Sequence, residues 1–252
     1  MDLAIQTKGL GYRAGKEFEI QDLALNVPVG SVYGFLGPNW SGKTTTIRLL
    51  LGQLRPASGS IQVLGREIPR QTVQMLAHIG YVPERPHLYP SLTVSEAMRL
   101  HAAFFPTWDW GRAEELATQF RLRREQRIGR LSKGETGKAM MMLVLAQTPS
   151  LLILDEPTDG LDPVARRDVL SALLEYVSNG EASVLISSHL VHELERACDW
   201  VGVLDEGRLV SELPMTTFKN GLKRLRIGRA PAQLDDPPFV VLAREGDGVS
   251  AH

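Results

Sequence analysis

The stretch "SVYGFLGPNWSGKTTTIRLLLGQL", residues 31 to 54, constrains this chain more than any other. Residues 31 to 36 are a short apolar run of strand formers, ended by Gly37. From Thr44 onward, apolar residues recur at Ile47, Leu50, Leu51 and Leu54, the spacing of one helical face. Strand, glycine-bounded loop and helix form the setting that a GxxxxGK[ST] pattern requires. Backbone N–H groups from Asn39, Trp40, Ser41, Gly42, Lys43, Thr44 and Thr45 can point into such a loop and meet phosphate oxygens at a positive helix end. Gly37 and Gly42 permit the tight backbone, Lys43 reaches the outer phosphates, and the Thr44 hydroxyl suits a Mg²⁺ ion. Trp40 falls on a variable position of the pattern. If the loop needs φ > 0 there, a bulky residue costs about 1–3 kcal/mol. The indole must then point away from the phosphates.

A second segment supplies acids. "LLIL", residues 151 to 154, reads as a buried strand, and Asp155 and Glu156 follow at its end. Ligands of parallel sheets bind at the C-terminal ends of strands. Asp155 therefore suits the Mg²⁺ ion, and Glu156 suits the base that orients or deprotonates a water. Alone, an acidic pair at a strand end is an ordinary surface feature; beside a phosphate loop it is not. Farther on, "SVLISSH" reads as another apolar strand ending at His189, placed to reach a terminal phosphate.

The whole chain has 252 residues and carries 28 Lys and Arg against 29 Asp and Glu. That balance gives no basic field of the kind that drives nucleic-acid binding. Cys198 is the single cysteine, so no disulfide forms within the chain. "MDLAIQTKGL" lacks a basic region followed by an apolar stretch, so no signal peptide is expected. No apolar run approaches the ~18–20 residues that span a bilayer. The expected location is therefore cytoplasmic, with any membrane portion supplied by a partner.

Taken in order, these motifs resemble the nucleotide-binding subunit of ATP-binding cassette transporters, over roughly residues 1 to 215. "GPNWSGKTT" is similar to the family's Walker A and "LLILDE" to its Walker B. "LSKGE", residues 131 to 135, looks like the signature motif; "DGLD", residues 159 to 162, like the D-loop; "SSH" like the switch histidine. "GYVPE" puts Glu84 where the Q-loop belongs, and Tyr12 stands where an aromatic stacks on adenine. "LSKG" with "PTWDW" upstream resembles a bacterial, mostly exporter subgroup whose ATPases pair with separate permease chains.

The resemblance implies an α/β P-loop NTPase core with a β-rich N-terminal part, an inserted helical subdomain at about 84–148 and a C-terminal tail over 216–252. It implies ATP and Mg²⁺ as cofactors. Glu156, His189 and Glu84 would be catalytic, and Thr44, Glu84 and Asp155 would face the metal. Asp162 would be a further nucleotide-binding residue, and Ser132 and Gly134 would contact the ATP held by a second ATPase chain, in a homodimer or a heterodimer, peripheral to a membrane permease. Three positions depart from the family pattern: Trp40 for glycine, Glu84 for glutamine and Asp159 for a small polar residue. Two alternatives stay open: a soluble cassette ATPase with no permease, and an ATP-binding module that hydrolyses weakly.

Between the ATP-site segments, prolines at 83, 86, 90 and 106 punctuate a stretch that turns helical, with Thr93 or Ser95 as a cap. This helical part is the expected permease-facing surface. Phe104, Phe105, Trp108 and Trp110 are expected mainly in its core. In the tail, Lys223, Arg224, Arg226 and Arg229 form a basic patch read as solvated surface.

Overall fold

A computed structural model describes residues 2–15, 18–178, 180, 182–221, 225–227 and 249–251. Two compact units are present, Met1–Glu212 and Leu213–His252. The second contains helix α8 (Met215–Gly221) and the antiparallel pair β12 (Leu225–Ile227) and β13 (Val249–Ala251). Lys223, Arg224 and Arg229 of the basic patch lie outside the described residues.

The larger unit is built on two sheets. In the first, β1 (Leu3–Ala14) pairs antiparallel with β2 (Phe18–Leu23), β3 (Asn26–Pro28) and β5 (Ser58–Val63), and β5 pairs with β6 (Arg66–Ile68). The second has the order β11-β10-β4-β9-β8-β7. Its strands are β4 (Val32–Leu36), β7 (Ile79–Val82), β8 (Leu151–Leu154), β9 (Ser183–Ser188), β10 (Trp200–Asp205) and β11 (Arg208–Pro214). Pairings from β10 through β4, β9 and β8 to β7 are all parallel. β4, β8 and β9 are buried at every position, as their near-continuous apolar sequences require for a sheet covered on both faces.

Register decides where the site lies. Leu36 pairs with Ser188, Leu154 with Ile186, and Val82 with Leu154. The C-terminal ends of four strands therefore finish along one edge. From that edge emerge the loop at 37–42, the acids at 155–156, His189 and the segment at 83–86. α1 (Lys43–Leu50) follows the loop and buries Ile47, Leu49 and Leu50 in the core between the sheets.

Three helices lie in the segment between β7 and β8: α3 (Val94–Ala102), α4 (Trp110–Gln119) and α5 (Lys133–Leu145). Capping fixes where two of them start. Thr93 accepts from the Glu96 amide while Glu96 reaches back to Thr93, and Ser132 and Glu135 repeat that box for α5. The aromatic run is placed differently from the expectation. Phe104 is 73% exposed and Trp110 46%, with Phe105 and Trp108 only partly covered. They fall in the loop from α3 to α4 and at α4's first residue, so no inward helical face collects them. Trp108 packs edge-on to Trp110, with ring centres 5.7 Å apart.

On β7, Gly80 is a site of close approach. A Cβ there would stand 2.6 Å from a Val144 methyl, 2.7 Å from Leu152 and 2.9 Å from Pro149. Gly80→Ala forces β7, β8 and α5 apart. It is expected to lower unfolding stability by about 1–3 kcal/mol, read as a reduced denaturation midpoint at unchanged m-value.

Candidate nucleotide site

Two glycines allow the 37–42 loop to close. A Cβ on Gly37 would lie 2.3 Å from the Leu204 carbonyl oxygen. Gly42 sits at φ 113, with the Phe18 ring 2.8 Å from where its Cβ would be. Gly42 is also the N-cap of α1 and offers no side-chain cap. The first N–H groups of the helix are thus left to an anion, where the macrodipole also favours negative charge.

Lys43 is 6% exposed. Its Nζ donates to the carbonyl oxygens of Gly37 (2.7 Å) and Pro38 (3.1 Å) and lies 3.3 Å from Glu156 Oε1. The other Glu156 oxygen lies 3.0 Å from His189 Nδ1. Ammonium, carboxylate and imidazole, from the start of α1 and from just beyond β8 and β9, thereby meet in one chain of contacts. Glu156 holds φ 46, a left-handed conformation that a non-glycine residue adopts only under constraint.

That constraint comes from a residue the sequence analysis did not single out. Ser187 is fully buried; its hydroxyl accepts from the Glu156 amide (2.9 Å) and donates to Asp155 Oδ1 (2.8 Å). Its only sequence signal is a polar residue inside an apolar strand. Asp155 is 1% exposed and also accepts from Thr44. Burial pushes its carboxyl above the usual range, and the Ser187 and Thr44 donors partly offset this.

Lys43, Thr44, Glu156 and His189 line a cavity of about 630 Å³. Asn39, Trp40, Gly42, Lys43, Thr44 and Thr45 border it, with Glu84, Glu156 and His189 opposite. Glu84 is exposed and also borders an adjoining cavity of about 500 Å³ that reaches Lys133 and Asp159. Trp40 sits at φ 73 and is 94% exposed, so its indole points out of the loop into solvent. Ser41 is buried beneath the loop.

Two candidates take other places. Tyr12 pairs with Ile20 and packs partly buried against the hydrophobic core. The rung nearer the hairpin turn, Ala14 opposite Phe18, is what borders the cavity. Phe18 is therefore the aromatic that the hairpin brings to the cavity, missed because the hairpin register is not legible in the residue types. The Asp162 carboxylate accepts from the Ala165 and Val164 amides, which holds it below the usual range as the cap of α6 (Pro163–Ser178). Gly134 is buried beside that cap, with Asp162 Oδ2 3.1 Å from where its Cβ would be. Ser132, the N-cap of α5, is exposed and does not border the loop's cavity.

A phosphate loop joined to a parallel sheet, with a buried acid and a strained glutamate beside its lysine, defines a P-loop ATPase. Residues 20–159 match the model of the ABC transporter family, and this chain belongs to that family. It is 34% identical over 221 residues to the bacitracin transport ATP-binding protein of Bacillus licheniformis, covering 87% of this chain and 72% of that protein. It is 32% identical over 220 residues to the Nod factor export ATP-binding protein I of Burkholderia orbicola (strain AU 1054), covering 82% and 70%. A solved structure of an ATP-binding subunit of an ABC transporter superposes with a TM-score of 0.78 at 29% identity, covering 87% of this chain and 92% of the other. The chain is thus an ATP-binding, ATP-hydrolysing subunit of the ABC transporter type.

Ser187→Ala leaves the Glu156 amide and Asp155 without their shared hydroxyl. Loss of about 1–3 kcal/mol of stability is expected from the buried groups left unpaired. ATP turnover should fall more than nucleotide affinity, because Glu156 loses its anchor while the loop stays intact. Chemical denaturation and steady-state ATPase assays read the two effects.

Proposed function

We propose that this chain binds MgATP at the 37–45 loop, closes on a second ATPase chain, and uses hydrolysis to drive a separate membrane permease. The observation that carries the reading is the contact chain Lys43–Glu156–His189 at the mouth of an uncapped helix. Lys43 now satisfies loop carbonyls; with nucleotide present its ammonium turns to the outer phosphates. Glu156, released from that cation, takes a proton from the attacking water. His189 has Nδ1 held by Glu156 and offers Nε2 to the terminal phosphate.

The donor set fits Mg²⁺. Among the described residues no cluster of three or more His, Cys, Asp or Glu could hold a metal alone. Mg²⁺ is ordinarily bound by one or two carboxylates, waters and substrate phosphates. Asp155, whose buried carboxylate gains from a neighbouring cation, the Thr44 hydroxyl and Glu84 would hold it beside the nucleotide. Bound there, it would neutralise charge developing on the phosphates. Phe18 supplies the aromatic face for the base, in place of Tyr12.

The second chain is inferred from the other cradle. Ser132 and the N–H groups around Gly134 open α5 but stand away from the loop's own cavity, so they serve a nucleotide bound elsewhere. The cassette MJ0796, 20% identical to this chain, has been solved as a dimer bound to ADP and Pi. No described helix is long and apolar enough to cross a membrane, so a permease would supply the span. Two of the related proteins are named for bacitracin transport and Nod factor export, which supports an export role. The helical segment 84–148, with Phe104 and Trp110 exposed, is the surface assigned to the permease.

Glu156→Gln keeps the fold and the loop but removes the base. It is expected to retain MgATP while turnover falls by about 100-fold or more, and to accumulate as a dimer. Parental turnover in that variant rejects Glu156 as the base. Lys43→Ala and Ser132→Arg chains, each inactive alone, should regain part of the activity when mixed, because one mixed dimer contains one intact composite site. Mixtures that dimerise yet stay inactive reject the composite site.

A further inference from the structure

Trp40 is costly where it stands. The loop uses the backbone of residue 40, and φ 73 favours glycine, yet the chain carries an indole there at 94% exposure. At that exposure the indole packs against little of its own chain. A second costly placement lies on α5. Lys133 is the first residue of that helix, where a cation opposes the macrodipole. The Ser132–Glu135 capping box fixes its backbone. Its ammonium lies 3.7 Å from Asp159 and lies over Gly160, where a Cβ would not fit. Both partners are half-exposed, at 64% and 48%, and an isolated exposed pair of this kind contributes little.

Both costs are recovered together if the two features meet. An indole face attracts a cation, and the attraction grows as water is excluded. Within one chain they do not meet, since Trp40 remains almost wholly in solvent. The dimer proposed above, on which this inference rests, brings the start of α5 in one chain over the phosphate loop of the other. We propose that Trp40 is a self-recognition contact: on ATP-driven closure its indole covers Lys133 and Asp159 of the partner subunit. Each chain carries both halves of the contact, so a two-fold homodimer makes it twice and buries both indoles. A heterodimer would make it twice only if the other chain duplicated both halves. The occupant of this surface is therefore a second copy of this chain. Trp40 serves the closed state at the expense of the open one, and Asp159, another departure from the family pattern, holds Lys133 flat for it.

The test uses the full chain carrying Glu156→Gln with MgATP, and the unmodified chain with a non-hydrolysable ATP analogue as a second preparation. Sedimentation equilibrium of the pure chain should show a homodimer. Trp40→Ala should raise its dissociation constant by about tenfold or more, and Lys133→Met by a comparable factor. The double variant should be no more than about twofold worse than either single one, since both remove the same contact. Iodide should quench the Trp40 emission, isolated by subtracting a Trp40→Phe chain, in the monomer but not in the dimer. No dimer in either preparation overturns the dimer reading and this inference with it. A dimer whose strength ignores Trp40→Ala or Lys133→Met, or whose Trp40 stays open to iodide, overturns only this inference. Nucleotide binding by the monomer that weakens about tenfold or more in Trp40→Ala also overturns it, because the indole then serves the nucleotide.

Discussion

One ammonium group organises the nucleotide site. Lys43 Nζ ties the phosphate loop to itself through Gly37 and Pro38 and faces Glu156 across the cavity. It can do so because it is nearly buried, where an unpaired charge would be expensive. The same geometry makes the site responsive: phosphate oxygens are stronger partners for an ammonium than loop carbonyls, so an arriving nucleotide rearranges the contacts of loop and carboxylate together. The rest of the fold keeps that lysine and that glutamate within reach of each other. Three parallel strands end in register, and the hydroxyl of Ser187 fixes the turn after β8.

Much of this was legible in the residue types. The phosphate loop, its strand and its helix were specified by spacing, because glycines and a lysine at fixed positions leave little freedom. Asp155, Glu156 and His189 were found as polar residues at the ends of apolar strands, and the sheet brings them to one edge. The cap of α3 was readable only as Thr93 or Ser95, and the structure gives it to Thr93. Tyr12, Phe18 and Ser187 were not readable. Which rung of the β1–β2 hairpin borders the cavity depends on register, and Ser187's role depends on two neighbouring strands. Asp162, expected as a nucleotide contact, also caps a helix: an aspartate before proline can serve a ligand or a helix end, and in this chain its carboxylate accepts from the α6 amides. The aromatic run at 104–110 looked like core by composition, but its backbone belongs to a connection between helices.

Departures from the family pattern cluster where the chain is most exposed. Trp40, Glu84 and Asp159 all border the 630 Å³ cavity. Residues behind that rim, Lys43, Asp155 and Ser187, are buried, Glu156 is nearly so, and the four are linked by their contacts, so that changing any of them disturbs its neighbours. The rim is therefore free to be tuned for partner and rate, whereas the interior is held by its own bonding.

The strand order has a consequence for how such a chain is made. β4, which carries the phosphate loop, and β8, which carries the acids, are not neighbours; β9 lies between them and is synthesised after both. Until β9 enters that gap, the loop and the glutamate share no scaffold, and Ser187 and His189 are missing. The loop also packs on Leu204 of β10, so loop and hydrolytic centre are completed only when the later strands join the sheet. β9 is thus the keystone of the centre, made after the two pieces that it joins.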